Sequence, residues 1–240
     1  MTDLQKNLDE VTARITQAAK KAQRDPGEVS LIVVTKGYPA QTIQDLYELG
    51  VHDVGESYVE EGLEKQKGLT SLERAQWHMI GHVQSRKAEA VARHFDLVHS
   101  VDSLKLAKRL DRFSRESGRV LPILLECNVS GETTKHGWPA WDQKQWETLM
   151  PEIAQLVELS NVRIHGLMSM APLLEESDKA RPYFARTRLL RDHLTSKFPQ
   201  ADWSQLSMGM SGDFEAAILE GATMVRIGTA IVGRDPIGGD

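Results

Sequence analysis

The feature that most restricts the fold is a phrase repeated along the chain. A short apolar run, rich in β-branched residues, closes on small or polar residues and hands over to a stretch with apolar side chains at helical spacing. The first run, residues 30–35, reads Ser-Leu-Ile-Val-Val-Thr and is continuous rather than alternating. A strand apolar on both faces belongs in a sheet covered from both sides, and parallel strands joined by helical crossovers supply that cover. The phrase returns with strands predicted at 51–54, 76–80, 97–100, 122–128, 163–168, 203–207 and 224–227. Helices are predicted at 40–49, 58–67, 85–94, 103–117, 144–159, 180–198 and 214–220. A leading helix, with Leu4, Leu8, Val11, Ile15 and Ala18 or Ala19 on one face, stops at Asp25-Pro26-Gly27.

About eight such units in 240 residues suit a closed barrel, which routinely takes ~250 residues. An open doubly wound sheet uses the same units, but its GxGxxG turn after the first strand is missing. The expectation is an α/β chain: a single (β/α)8 TIM-type barrel with an extra N-terminal helix, residues 1–240 forming one domain.

Composition removes whole classes of function. With 29 Lys and Arg against 34 Asp and Glu, the net charge is −5, which argues against general nucleic-acid binding. One cysteine, Cys127, excludes an internal disulfide framework and a cysteine-based zinc cluster. No apolar run approaches the ~20 residues of a membrane span, and the N-terminus MTDLQKNLDEVTARI is too polar for a signal peptide. A soluble, cytoplasmic protein is expected, with no nucleic-acid or membrane partner, and nothing in the sequence demands a dimer.

In a barrel, chemistry sits at the C-terminal ends of the strands. Those positions are Lys36, Ser57, His82, Ser100, Asn128, Met168, Ser207 and Gly228. Lys36 is either a surface lysine or a partly desolvated amine able to form a Schiff base. The turns at 207–212 and 226–229 are rich in glycine and small residues. They are either tight turns or a phosphate cradle at the place where barrels often carry one. Ring closure makes the last strand the neighbour of the first, bringing these turns to Lys36. An amine beside a phosphate cradle is the layout that holds pyridoxal 5′-phosphate. Arg226 then either faces the pyridine ring, where it discourages protonation of the ring nitrogen, or pairs with a carboxylate such as Glu215.

The stretches VVTK (33–36), VGESYVEE (54–61), WHMIGHVQS (77–85), NVSGE (128–132), HGLM (165–168), LSMGMSGD (206–213) and MVRIGTAIVG (224–233) stand in one order along nearly the whole chain. In them the chain resembles the pyridoxal phosphate homeostasis protein family, which shares its fold with the N-terminal barrel of alanine racemase. The resemblance implies pyridoxal 5′-phosphate held as a Schiff base on Lys36, phosphate contacts from Ser207, Gly228 and Thr229, and Arg226 near the pyridine nitrogen. It implies a role in vitamin B6 homeostasis without a dedicated reaction, with apo enzymes that need the cofactor as partners. Three departures stand out: Ser57 where the family has Asn, Gln84-Ser85-Arg86-Lys87 for Gln-Ser-Asn-Lys, and Thr35-Lys36-Gly37 for Ser-Lys-Thr.

Other functions fit less well. An amino-acid racemase needs a base on each face of the cofactor, and in alanine racemase the second comes from a separate C-terminal β-domain; the chain, ending at Asp240, is expected to lack one. An aldolase or phosphosugar isomerase would want a catalytic lysine or carboxylates on the middle strands, and no such lysine is found there. His78 and His82 form no metal triad at a recognised spacing, so no metal is expected. Cys127 and the methionines read as core, and residues 132–137 as a polar loop over the barrel mouth.

Overall fold

The computed structural model describes residues 3–233. The chain opens with helix α1 (Asp3–Lys21), which buries Leu8, Val11, Ile15, Ala18 and Ala19. Strands and helices then alternate: β1 (Ser30–Val34), α2 (Ala40–Glu48), β2 (Asp53–Glu56), α3 (Val59–Gly68), β3 (Gln76–Met79), α4 (Ala88–His94), β4 (Leu97–Val101), α5 (Leu104–Glu116) and β5 (Leu121–Asn128). The second half adds β6 (Trp138–Pro139), α6 (Met150–Val157), β7 (Val162–Ser169), α7 (Arg181–Lys197), β8 (Gln205–Ser207), α8 (Phe214–Leu219), β9 (Met224–Ile227) and α9 (Thr229–Val232).

Hydrogen bonding runs β4-β3-β2-β1-β9-β8-β7-β5, and a further β4–β5 pairing closes the ring. The open-sheet alternative is therefore excluded. Every neighbouring pair is parallel, so all strand C-termini share one rim. The closing register sets Ile32 beside Arg226 and Val33 beside Ile227. The two-residue β6 pairs with β5 at Cys127 and Asn128, past the Val101–Leu125 pair where β4 ends.

The predicted elements shift where the backbone has other commitments. The second strand starts at Asp53 rather than 51, because the Val51 amide is spent on the Leu46 carbonyl at the end of α2. The helix predicted over 144–159 is a 3₁₀ turn, Gln143–Thr148, followed by α6; Pro151 sits in the first turn of α6, where a missing N–H costs nothing. The strand β6 and the terminal helix α9 were not predicted. None of the helices among the described residues is long and apolar enough to cross a membrane.

Apolar side chains fill both sides of the ring. Ile32, Leu121, Ile123 and Leu124 on strands and Phe95, Phe184 and Phe214 around them are fully buried. A smaller cluster of Leu97, Leu124 and Met168, with Met224 against it, joins four different strands, as inward-facing barrel residues do. Helix α1 braces the end of the chain: Asn7 Nδ2 donates to Ile231 O at 2.9 Å and Arg14 pairs with Glu215 at 2.6 Å.

Candidate functional site

Lys36 lies two residues beyond β1 and is exposed. Strand alternation puts it on the face of Ile32, the residue paired with Arg226. Its amine makes no hydrogen bond or ion pair among the described residues. The backbone around it, by contrast, is tied on both sides. The Thr35 amide donates to Gly55 O at 3.1 Å and its hydroxyl to Glu56 Oε1 at 2.6 Å. Lys65 Nζ donates to Thr35 O at 2.7 Å and reaches Glu56 and Glu61, each at 2.7 Å. Glu61 in turn accepts from the Gly37 amide at 2.6 Å. Burial pushes the Glu56 carboxyl above its ordinary value while Lys65 pulls it back. Glu56, Glu61 and Lys65 thus hold the peptide that carries the lysine, and sequence reading missed them. The signal available was the i, i+4 spacing of Glu61, the last residue of the VGESYVEE stretch, and Lys65 in the helical run after it.

Arg226 lies inside the ring on β9, buried. One Nη1 donates to both Ser207 O (2.7 Å) and Ser207 Oγ (2.6 Å), and Nη2 to Ser169 O at 3.0 Å. The pairing with Glu215 that sequence left open does not form: Glu215 is held by Arg14. Burial lowers the Arg226 guanidinium to about 10, with Glu126 and Asp213 opposing, so it is still a cation at neutral pH. Burial also pushes Glu126 up to about 7, helped by repulsion from Asp102.

Ser207 is fully buried and sits at the head of a chain of polar groups crossing the barrel. Its Oγ lies 2.8 Å from His99 Nδ1; His99 Nε2 lies 3.0 Å from His78 Nδ1; His78 Nε2 lies 3.0 Å from Asp53 Oδ1. Burial, together with His78 and Arg226, holds His99 well below the ordinary imidazole range, so the ring is neutral. One proton assignment then satisfies every link. His78 donates to Asp53, His99 to His78 and the Ser207 hydroxyl to His99, while Ser207 Oγ accepts from Arg226. The hydroxyl expected to hold phosphate is thereby committed inward, to the arginine.

The glycine-rich turns meet above this chain. Gly228 lies against Val34, three heavy atoms of which come within 4 Å of the position a Cβ would take. Thr229 opens α9 with its side chain exposed, and its amide, first in the helix, has no intrahelical partner by position. The next amide, Ala230, donates to Ser211 Oγ at 3.3 Å, joining the two turns. Ser211 is therefore the hydroxyl of the 207–212 turn that stands beside Gly228 and Thr229. At Gly212 a Cβ would meet nothing within 4 Å, so the turn is open on its outer side.

Ser57 follows β2 and is half-buried; its backbone is covered so closely by Gly81 that a Cβ there would come 2.1 Å from Ser57 O. That contact carries the rim round to His82, which lies 3.2 Å from Asp102, with His136 stacked on it at 4.0 Å between ring centroids. Of the predicted residues, the structure brings Lys36, Arg226, Gly228 and Thr229 to the adjoining ends of β1 and β9, with Ser207 beneath them and Ser57 on the neighbouring strand end.

The model of the family described as alanine racemase, N-terminal domain, matches residues 7–236. A pyridoxal phosphate homeostasis protein of Pseudomonas aeruginosa is 41% identical over 239 residues, covering 99% of this chain and 98% of that protein. PipY of Synechococcus elongatus, solved with pyridoxal phosphate bound, is 38% identical with a TM-score of 0.79, covering 93% of this chain and 100% of PipY. Alanine racemase of Clostridium difficile, 15% identical with a TM-score of 0.70, shares the fold over 98% of this chain and 57% of its own.

Proposed function

The chain belongs to the pyridoxal phosphate homeostasis proteins, within the family of the alanine racemase N-terminal domain, and on that premise we propose that it binds pyridoxal 5′-phosphate at the barrel mouth. Its role is cofactor homeostasis in the cytoplasm, without a dedicated reaction. Residues 1–240 act as one binding domain, in monomeric form, and apo enzymes that need the cofactor are its partners.

The observation that carries this reading is the closing register, Ile32 beside Arg226, which sets the amine of Lys36 and the turn at Gly228 and Thr229 on adjoining strand ends. The residues present fit the group. Lys36 has a free amine on a fixed peptide, three of the five Arg226 N–H groups are spent on protein oxygens, and Gly228, Thr229 and Ser211 offer small donors at an open turn. Bound there, the cofactor supplies an aldehyde that condenses with an amine and a ring that draws electrons.

Lys36 holds it in Schiff-base linkage through Nζ. The Thr35 and Gly37 tethers fix where that nitrogen starts, so little backbone freedom remains to be lost on binding. Thr229 and Gly228 bind the phosphate, aided by Ser211. Arg226 directs a remaining N–H at the ring nitrogen and, being a cation, keeps a proton off it; that weakens the ring as an electron sink and suits storage better than turnover. Ser207 contributes by holding Arg226, and Ser57 lines the edge. Purified wild-type protein should show a visible absorbance band that Lys36→Ala lacks at equal protein concentration; an equal band in the variant would reject the assignment.

A further inference from the structure

We propose that His82, Asp102 and His136 form a binding site for one divalent transition-metal ion of the zinc class on the barrel rim. Each comes from a different strand end: His82 after β3, Asp102 after β4, and His136 from the loop that leaves β5. Their ligand atoms all lie within 4.8 Å of one another. Asp102 Oδ2 is 3.2 Å from His82 Nδ1 and 4.0 Å from His136 Nδ1. Tetrahedral zinc, with ligands at ~2.0–2.2 Å, spaces them about 3.4 Å apart, so the set is nearly closed already. Two imidazoles and one carboxylate suit borderline ions such as Zn²⁺ better than Mg²⁺ or Ca²⁺, which take oxygen ligands. Three protein ligands leave a fourth position open to solvent.

The surroundings are built to hold these groups in place. Ser103 Oγ donates to Asp102 Oδ1 at 2.9 Å, which turns the other oxygen toward the imidazoles. Ser100 Oγ donates to Gly81 O at 2.6 Å, fixing the residue before His82. Trp138 Nε1 donates to Val101 O at 3.0 Å, so the indole that follows the loop grips the residue next to Asp102. Gly137 passes so close to β5 that a Cβ would come 2.7 Å from Glu126 O, which pins His136 at the rim. Asn128 Nδ2 holds the loop from within through Glu132 O at 2.8 Å. One adjustment is needed. The two rings stack at an interplanar angle of 15°, and a shared ion lies in the plane of each ring it binds. His136 is 58% exposed, which leaves its ring room to turn out of the stack and meet the ion.

Calorimetric titration of chelator-treated wild-type protein with zinc chloride tests the site. One equivalent should bind, and His136→Ala and Asp102→Asn should each weaken it by at least the roughly 10–100-fold that loss of an outer-shell partner costs. His94→Ala, an exposed histidine elsewhere, should bind as wild type. Cobalt(II) in place of zinc should give visible d–d bands of four-coordinate intensity that vanish in His82→Ala, with circular dichroism showing each variant folded. Failure of the wild type to take up zinc, or uptake that His136→Ala and Asp102→Asn leave unchanged, would overturn the proposal.

Discussion

Ser207 shows how much a single buried hydroxyl decides. Its type and position at a strand end suggested a phosphate ligand, yet the same features suit a group that accepts from Arg226 and donates to His99. Only the facing residues on β4 and β9 separate the two roles, and they lie far away in sequence. Glu126, beside this network, gives a pH signature. Its carboxyl is raised from 4.5 to about 7 by burial and by Asp102, so in the native state it prefers the neutral form. The stability this contributes is complete below pH 4.5 and is lost as pH rises through 7, because the unfolded chain ionises first. Glu126→Gln cannot ionise, so it should gain on wild type by on the order of 2 kcal/mol between pH 5 and 8 in urea denaturation. Parallel curves for the two proteins across that range would show that Glu126 is ionised at ordinary pH.

Elements explain why the lysine is well placed. Two strand ends and one helix face meet at Thr35: β1 supplies the peptide, β2 supplies Glu56, and α3 supplies Glu61 and Lys65. Lys65→Ala would leave Glu56 buried beside an unneutralised environment. The expected cost is about 3 kcal/mol at neutral pH and shrinks as the pH falls and protonation of Glu56 removes its charge, read from urea midpoints. A cost that does not change with pH would mean the loss is one of packing. Strands and helices of this scaffold were legible because two periodicities, continuous apolar and helical, alternate without interruption. Their edges were not. Val51 reads as the start of a strand but finishes a helix turn, and the 3₁₀ segment before Pro151 has the same apolar spacing as the helix after it. The strand β6 is two residues long, too short for any pattern, and exists because β5 runs on past the end of β4.

At the scale of the whole molecule, ring closure is what turns separate motifs into a site. It joins β9 to β1, and α1 then presses on α8 and α9 from outside through Arg14 and Asn7. Lys36, Arg226, Gly228 and Thr229 could be named from sequence because closure of an eightfold ring dictates that its first and last strands touch. The rim group of His82, Asp102 and His136 could not, since its members are spread over three loops and no spacing rule links them. Borohydride reduction of the purified protein, followed by peptide mass mapping, tests the account where it is most exposed. One pyridoxyl-phosphate adduct per chain on the peptide containing Lys36 is the predicted result; an adduct on a different lysine, or none in protein shown to be loaded with cofactor, would contradict it.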